Sequence, residues 1–289
     1  MRTIPLATTS VSVIGYGGMH LSLTDRPPET DGIRVIHAAL DAGMTLIDTA
    51  DAYCLDALET GHNERLIARA LREWPGPREA VLVATKGGIV RGGGRWDRDG
   101  RPEHLRAACD ASLRALGVPA IGLYQLHAPD PAVPFEESVG ALAGLERSGK
   151  VRWIGLSNVS VEQIQRAERI VPIASVQNRL NPYFREALTE GVVEYCATRG
   201  IVFLAYSPTG GGRLTRKLPD HPTLVDIARR TGASPHAVCL AWVLAQGKSV
   251  LAIPSARRVD HARDSASAAE LRLSPEDLAA ITRASFDRR

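Results

Sequence analysis

Four side chains with acid–base chemistry stand at comparable places in the sequence, each at or just beyond the end of a short apolar run. Asp48 closes Leu46-Ile47-Asp48, and Lys86 follows Val83-Ala84-Thr85. His127 closes Leu123-Tyr124-Gln125-Leu126-His127, and Tyr53 lies five residues beyond Asp48. Singly, none asks for a catalytic role. An Asp after a strand often forms a turn or caps a helix. A Lys there is usually solvated, a strand-end His is more often a satisfied core residue, and a loop Tyr usually packs half-buried. Together they make a device. A free phenol titrates near ~10, too high for a ready proton donor at neutral pH. A Lys cation beside it favours the phenolate and lowers that value, and a carboxylate keeps a buried Lys charged. Asp48, Lys86 and Tyr53 are therefore expected to form a tuned phenol, with His127 hydrogen-bonding a substrate oxygen. Such a site gives or takes a proton at a carbonyl or alcohol oxygen. It has no hydride of its own, so a redox role needs a cofactor.

These residues converge only if their strands are neighbours. Eight short apolar or β-branched runs recur, at 13–16, 45–48, 81–85, 121–127, 153–157, 175–177, 202–206 and 250–254. Their character suits strands buried on both faces. Between them lie helical patterns: Phe135, Val139, Leu142 and Leu145 share one face, as do Val161, Ile164, Ala167 and Val171. Ser160 with Gln163 predicts a capping box, and Ser234-Pro235 and Ser274-Pro275 each predict a cap followed by proline in the first turn. Eight strand–helix units predict a parallel α/β fold closed into a (β/α)₈ TIM barrel, whose catalytic residues collect at the C-terminal ends of the strands. No linker divides residues 1–289, so one domain is expected. The rival is an open doubly wound sheet, which usually carries a Gly-rich turn after its first strand. Gly15-Tyr16-Gly17-Gly18-Met19-His20 has His20 where the third glycine belongs, and Gly92-Gly93-Gly94 runs into Arg-Trp rather than a phosphate-loop Lys. Residues 92–94 are expected to be a mobile loop.

Composition narrows the function classes. The 289 residues are 44% hydrophobic and 23% charged, with formal net charge +3, ordinary for a globular chain. No run of Lys or Arg exceeds two residues, which disfavours nucleic-acid binding. The longest apolar run, 237–245, is about half the roughly twenty residues of a membrane span, so a buried helix is expected and no membrane association. The start MRTIPLATTS lacks the apolar core of a signal peptide. Cys54, Cys109, Cys196 and Cys239 are scattered without metal-ligand spacing. No metal is expected, and four reduced thiols in a cytoplasmic protein are.

The string Asp48-Thr49-Ala50-Asp51-Ala52-Tyr53, the pair Thr85-Lys86 and the ending Leu126-His127 resemble the catalytic tetrad of the aldo-keto reductases. Further matches follow in strand order: Gly155-Leu156-Ser157-Asn158, Val176-Gln177-Asn178, Ala205-Tyr206-Ser207-Pro208 and Ile253-Pro254-Ser255. The resemblance implies a nicotinamide coenzyme across the barrel mouth. Ser157, Asn158 and Gln177 match positions that hold the carboxamide, and Tyr206 matches the residue stacked on the ring. The loop 207–214, with Ser207, Pro208, Gly210 and Gly211, matches the pyrophosphate segment, where glycines let backbone N–H groups approach phosphates. NADP(H) is the commoner coenzyme, with NAD(H) the alternative. Ser255, Arg257 and Arg258 match the site of the adenosine phosphate, and guanidinium suits phosphate oxygens. Asp264 matches a carboxylate near the adenine. His261 stands where Arg is usual, Ser265 where Asn is usual, and Cys54 where Gly commonly follows the tyrosine.

Substrate contacts are expected from Met19, His20, Leu55 and Trp96. The last apolar helix positions, Leu278 and Ile281, lie close to Arg289, so no long C-terminal loop is expected over the pocket. The activity implied is NADP(H)-dependent reduction of a small-molecule aldehyde or ketone, reversibly, with Tyr53 as general acid. Two rivals keep the same residues: a barrel lyase with Lys86 as Schiff-base amine, and a non-catalytic NADP-binding sensor or docking module. Neither substrate nor oligomeric state is legible.

Overall fold

Apolar runs that alternate with amphipathic helices can bury both strand faces only inside a ring of helices. The computed structural model, which describes residues 1–288, builds that ring. An N-terminal hairpin, β1 (Thr3–Leu6) and β2 (Thr9–Ser12), precedes the barrel strands. These are β3 (Tyr16–Gly17), β4 (Leu46–Asp48), β5 (Leu82–Gly87), β8 (Ile121–Leu126), β9 (Val151–Ser157), β10 (Ile173–Arg179), β11 (Val202–Tyr206) and β12 (Val250–Ala252). The short antiparallel pair β6 (Ile89–Val90) and β7 (Asp97–Arg98) lies in the loop after β5. The eight barrel strands are parallel and follow one another around the sheet. A parallel bridge between Ile14 and Ala252 closes it, with Gly15 N–H donating to Ala252 O and Ala252 N–H to Val13 O.

All eight expected strands are present, and their limits shift for physical reasons. The first was expected over 13–16. Residues 13–15 instead bond to the last strand, and only Tyr16–Gly17 pair with β4, because the closing seam divides this segment between two neighbours. The third, fifth and sixth run longer than expected, since the ladder continues through polar residues such as Lys86, Arg152 and Asn178 once both neighbours are strands. The hairpin was not foreseen. It turns at Ala7, with φ +48°, without the Gly or Asn that signals such a turn. Ser12 and Thr45 exchange side-chain and backbone hydrogen bonds of 2.9 Å, which fixes the hairpin at the N-terminal end of the barrel. There Leu6 and Val11 pack on Leu46, Ala84, Leu123 and Leu251. Residues 92–94, expected to be a loop, form a tight turn between β6 and β7.

The helices follow their patterns, except that the helix expected to carry Val161, Ile164, Ala167 and Val171 on one face ends at Glu168, so Val171 is buried in the turn beyond it. In order they are α1 (Glu29–Asp41), α2 (His62–Glu73), α3 (Pro102–Leu116), α4 (Phe135–Arg147), α5 (Val161–Glu168), α6 (Glu186–Thr189), α7 (Val192–Arg199), α8 (Gly212–Thr215), α9 (Pro222–Thr231), α10 (Pro235–Leu244), α11 (Val259–Ser267) and α12 (Pro275–Arg283). α4 buries Phe135, Val139, Leu142 and Leu145. Ser160 and Gln163 make the capping box of α5, and Ser234 and Ser274 accept hydrogen bonds that cap α10 and α12. The apolar run over 237–244 is buried all round, as a core helix. Among the described residues no helix is long and apolar enough to cross a membrane.

Candidate active site

Strand ends carry three of the four acid–base residues to one rim, and the loop after β4 returns the fourth. Lys86 lies near the end of β5 with no solvent exposure. Its Nζ donates to Asp48 Oδ2 at 2.7 Å, Thr49 O at 2.8 Å and Tyr53 Oη at 2.9 Å. An ammonium has three protons, and all are committed. Asp48 Oδ1 accepts from Gln177 Nε2 at 2.7 Å and from Gln125 Nε2 at 3.4 Å. Since Lys86 donates to Tyr53 Oη, the phenol proton is free to turn toward the mouth. The Tyr53 ring meets His127 edge-on at 5.7 Å and Trp96 edge-on at 6.4 Å.

The electrostatics correct one expectation. Lys86 does pull the Tyr53 phenol down, but burial pushes it up more, and Asp48 adds to the rise; the net value is raised to about 12. In this site the phenol is a neutral acid. Burial also opposes the charge on Lys86, yet Asp48 and Tyr53 outweigh it and hold the ammonium above its usual value. A neutral Lys86, which a Schiff base would need, is therefore disfavoured. Burial, reinforced by Lys86, drives His127 well below the usual histidine range, so the imidazole is neutral. Its Nδ1 is buried without a partner.

Around the rim, Ser157 ends β9 and Asn158 follows it with φ +59°. Asn158 Nδ2 donates to His127 O at 3.0 Å and to Ser157 Oγ at 3.1 Å, and its Oδ1 accepts from Tyr206 Oη at 2.8 Å. This contact holds the Tyr206 ring at the end of β11. Ser207 follows with φ +47°, and its carbonyl accepts from Asn181 Nδ2 at 2.8 Å. Pro208 O accepts from Cys239 Sγ at 3.5 Å. Gly210 has φ +100°, and a Cβ there would lie 2.9 Å from Leu214 Cβ, so only glycine fits the turn. Gly211, also at positive φ, continues it.

Beyond β12, Ser255 and Arg257 are exposed, and Arg257 Nη1 donates to Asp25 O at 2.9 Å. Arg258 is held by Asp260 through two hydrogen bonds, of 3.0 and 2.7 Å. His261 is exposed at the start of α11, and Asp264 accepts from Ser234 Oγ at 2.6 Å, tying α11 to the cap of α10. Met19 and His20 sit half-buried in a short turn after β3. Burial, then the Arg257 cation, lowers the His20 value below the usual histidine range. Leu55 and Trp96 are exposed, and Trp96 borders Tyr53.

Two features escaped the sequence reading. Behind the strands, Glu64 accepts from Thr85 Oγ1 at 2.6 Å and shares its buried surroundings with Asp51, each leaving one oxygen without a partner. In the loop after β5, Arg91 is buried under Trp96. Asp51 and Thr85 fall within the matched strings, whereas Glu64 and Arg91 lie in no recognisable motif. The four cysteines are free and buried, and burial raises the Cys54 thiol above its usual value, against a reactive role. Among the described residues no cluster of His, Cys, Asp or Glu could hold a metal ion.

Residues 13–285 match the family model described as the aldo/keto reductase family. The chain is 36% identical over 300 residues to a probable aldo-keto reductase of Glycine max, covering 94% of this chain and 84% of that one. Among solved structures, it resembles a glycerol dehydrogenase from Gluconobacter oxydans with a TM-score of 0.85 and 29% identity, over 96% of this chain and 93% of that one. It also resembles an aldo/keto reductase from Klebsiella pneumoniae in complex with NADP and acetate, with a TM-score of 0.80 and 28% identity, over 95% and 91% of the two chains.

Proposed function

This chain belongs to the aldo/keto reductase family, and we propose that it reduces an aldehyde or ketone to an alcohol with NADP(H), and runs the reverse oxidation through the same groups. The observation that carries this reading is the Lys86 ammonium, fully buried and held by Asp48, Thr49 O and Tyr53 Oη.

The rim fits a nicotinamide. A primary amide needs one acceptor and one donor. Gln177 uses its Nε2 on Asp48, which leaves its Oε1 to accept, and the Ser157 hydroxyl, which accepts from Asn158, keeps its proton to donate. Asn158 braces Tyr206 beside them as a stacking face. Bound there, NADP(H) supplies or accepts the hydride. Ser207, Pro208, Gly210 and Gly211 would lie along the pyrophosphate, and Ser255, Arg257 and Arg258 at the adenosine phosphate, with His261 and Asp264 on the adjoining helix. The Klebsiella pneumoniae relative, solved with NADP, supports the choice of coenzyme.

The protein's own groups handle the proton. Neutral His127 positions the carbonyl oxygen by a hydrogen bond from the ring nitrogen opposite Nδ1. Tyr53 Oη gives its proton to that oxygen as negative charge develops. The phenolate left behind is stabilised by Lys86, whose charge Asp48 maintains, so the stabilisation is stronger in the transition state than in the ground state. In the oxidation direction the phenolate takes the alcohol proton.

The test is a panel of aldehydes and ketones mixed with NADPH, following the loss of NADPH absorbance. Turnover is expected with wild type and a fall of about 10²–10⁴-fold in kcat with Tyr53→Phe, while NADPH still binds. Near-normal kcat in that variant would remove Tyr53 as the acid. NADPH binding without turnover of any carbonyl would favour the sensor reading.

A further inference from the structure

Arg91 is a buried cation on the substrate side of the mouth with no anion to answer it. It follows β6 and is 8% exposed. Its Nη2 donates to Leu55 O at 3.0 Å and Gly94 O at 2.9 Å. Its Nε and Nη1 are buried and without an acceptor. Among the described residues no carboxylate lies within ion-pair distance of it, whereas Arg95 and Arg101 nearby each have one. A guanidinium cannot shed its proton. Native folds seldom leave such a charge buried and unpaired, because its lost hydration must be replaced. The two carbonyls on Nη2 already staple the loops, so stapling does not account for the other two nitrogens.

Its position relates it to the chemistry. The guanidinium lies over the Trp96 ring, 4.0 Å from the centroid, and that ring meets the Tyr53 ring edge-on at 6.4 Å. Arg91 is therefore one aromatic side chain removed from the proton donor, a separation that a short carbon chain spans. Trp96 is itself 45% exposed, so the cover on Arg91 is a surface side chain. Along the chain the tight turn 92–94 separates Arg91 from Trp96.

We propose that Arg91 recognises an anionic group, a carboxylate or a phosphate, carried by the carbonyl substrate at the end remote from the reacting carbon. This rests on the reductase reading. The carbonyl oxygen lies at Tyr53 and His127, the chain passes along Trp96, and the anion accepts from Nε and Nη1. Charge-assisted hydrogen bonds of this kind are the strong ones.

The test compares matched substrates at saturating NADPH: 4-oxobutanoate against butanal, and glyceraldehyde 3-phosphate against glyceraldehyde. The anionic member of at least one pair is expected to have a kcat/KM at least about tenfold higher, and the pair showing it tells carboxylate from phosphate. Arg91→Met should bring the ratio near unity, mainly through KM, and Arg91→Lys should keep part of it. Since Arg91→Met also removes the loop staple, Arg91→Glu provides a reading tied to charge sign: it should favour the cationic betaine aldehyde over neutral 3,3-dimethylbutanal. Binding is followed separately, by titrating the NADP complex with succinate and with inorganic phosphate. Binding of either that is lost in Arg91→Met supports the proposal, with or without turnover. Equal kcat/KM within both pairs, or no binding of either anion, overturns it. Turnover of neutral aldehydes alongside that result leaves the reductase reading standing, and absence of all turnover removes that reading by itself.

Discussion

Gln177 Nε2 and Asp48 Oδ1 are joined by a 2.7 Å hydrogen bond across the barrel, between residues 129 apart in sequence. The residue that would hold the coenzyme carboxamide thereby also anchors the carboxylate that keeps Lys86 charged. With Lys86 on its other oxygen, Asp48 is a buried anion with both oxygens satisfied. On the proposed reading, coenzyme binding and proton transfer would share one hydrogen-bonded unit.

Lys86→Met strands that anion. The variant is expected to lose most turnover and about 3–5 kcal/mol of stability, the usual cost of breaking a buried pair from one side. Lys86 is also what holds the phenol down against burial and Asp48. Without it the phenolate forms only at still higher pH, so the pH for half-maximal alcohol oxidation should rise. A pH–rate profile and a urea melt check both, and an unchanged profile would show that Lys86 does not tune Tyr53.

Coenzyme choice should depend on Arg257 and Arg258. Replacing both by Ala is expected to raise the Kd for NADPH about tenfold or more, each charge-assisted contact contributing about 1.5–3 kcal/mol, with little change for NADH. Because Asp260 holds Arg258 through two hydrogen bonds, Asp260→Ala should free that guanidinium and tighten NADPH binding. Fluorescence titration with both coenzymes decides. Equal wild-type affinity for the two would mean that neither arginine reads the 2′-phosphate.

Asp51 should make stability fall with pH. Burial, then neighbouring Glu64, raises its value well above the usual range, against the opposing pull of the Ala52 N–H and Lys86. The folded state therefore binds this proton more tightly than the unfolded state. That contribution is complete below the unfolded value near ~3.9 and is lost as pH rises toward the folded value. Asp51→Asn imitates the neutral acid. Its stability advantage over wild type should widen between pH 5 and pH 8, by at most about 1.4 kcal/mol per unit. Urea melts at both pH values measure this, and a constant gap would contradict it.

Phe286→Ala should weaken coenzyme binding at a distance. Its ring stacks on His221 at 4.1 Å and meets Tyr183 edge-on at 5.1 Å. Tyr183 Oη donates to Leu214 O at 3.2 Å, and Arg213 Nη2 donates to Arg288 O at 2.7 Å, so the C-terminal tail braces the loop at 210–214. Loosening it is expected to raise the Kd for NADPH by about three- to tenfold, roughly one lost packing contact, with kcat at saturating coenzyme little changed. A fall in kcat alone would show that the tail acts elsewhere.

By itself the sequence determined the strand–helix alternation, the caps at Ser160, Ser234 and Ser274, and the placing of Asp48, Lys86 and His127 at strand ends. These are local properties, written in spacing and side-chain type within a few residues. It could not reveal the hairpin that closes the N-terminal end of the barrel, because a four-residue strand turning at Ala7 carries no local signal. Nor could it show that Tyr53 is raised rather than lowered, that Asp51 and Glu64 share buried surroundings, or that Arg91 has no counter-ion. Each of these depends on how much water is excluded and which distant groups remain in reach. Lys86 alone offered a cation to Tyr53; only the folded barrel decided that burial would outweigh it.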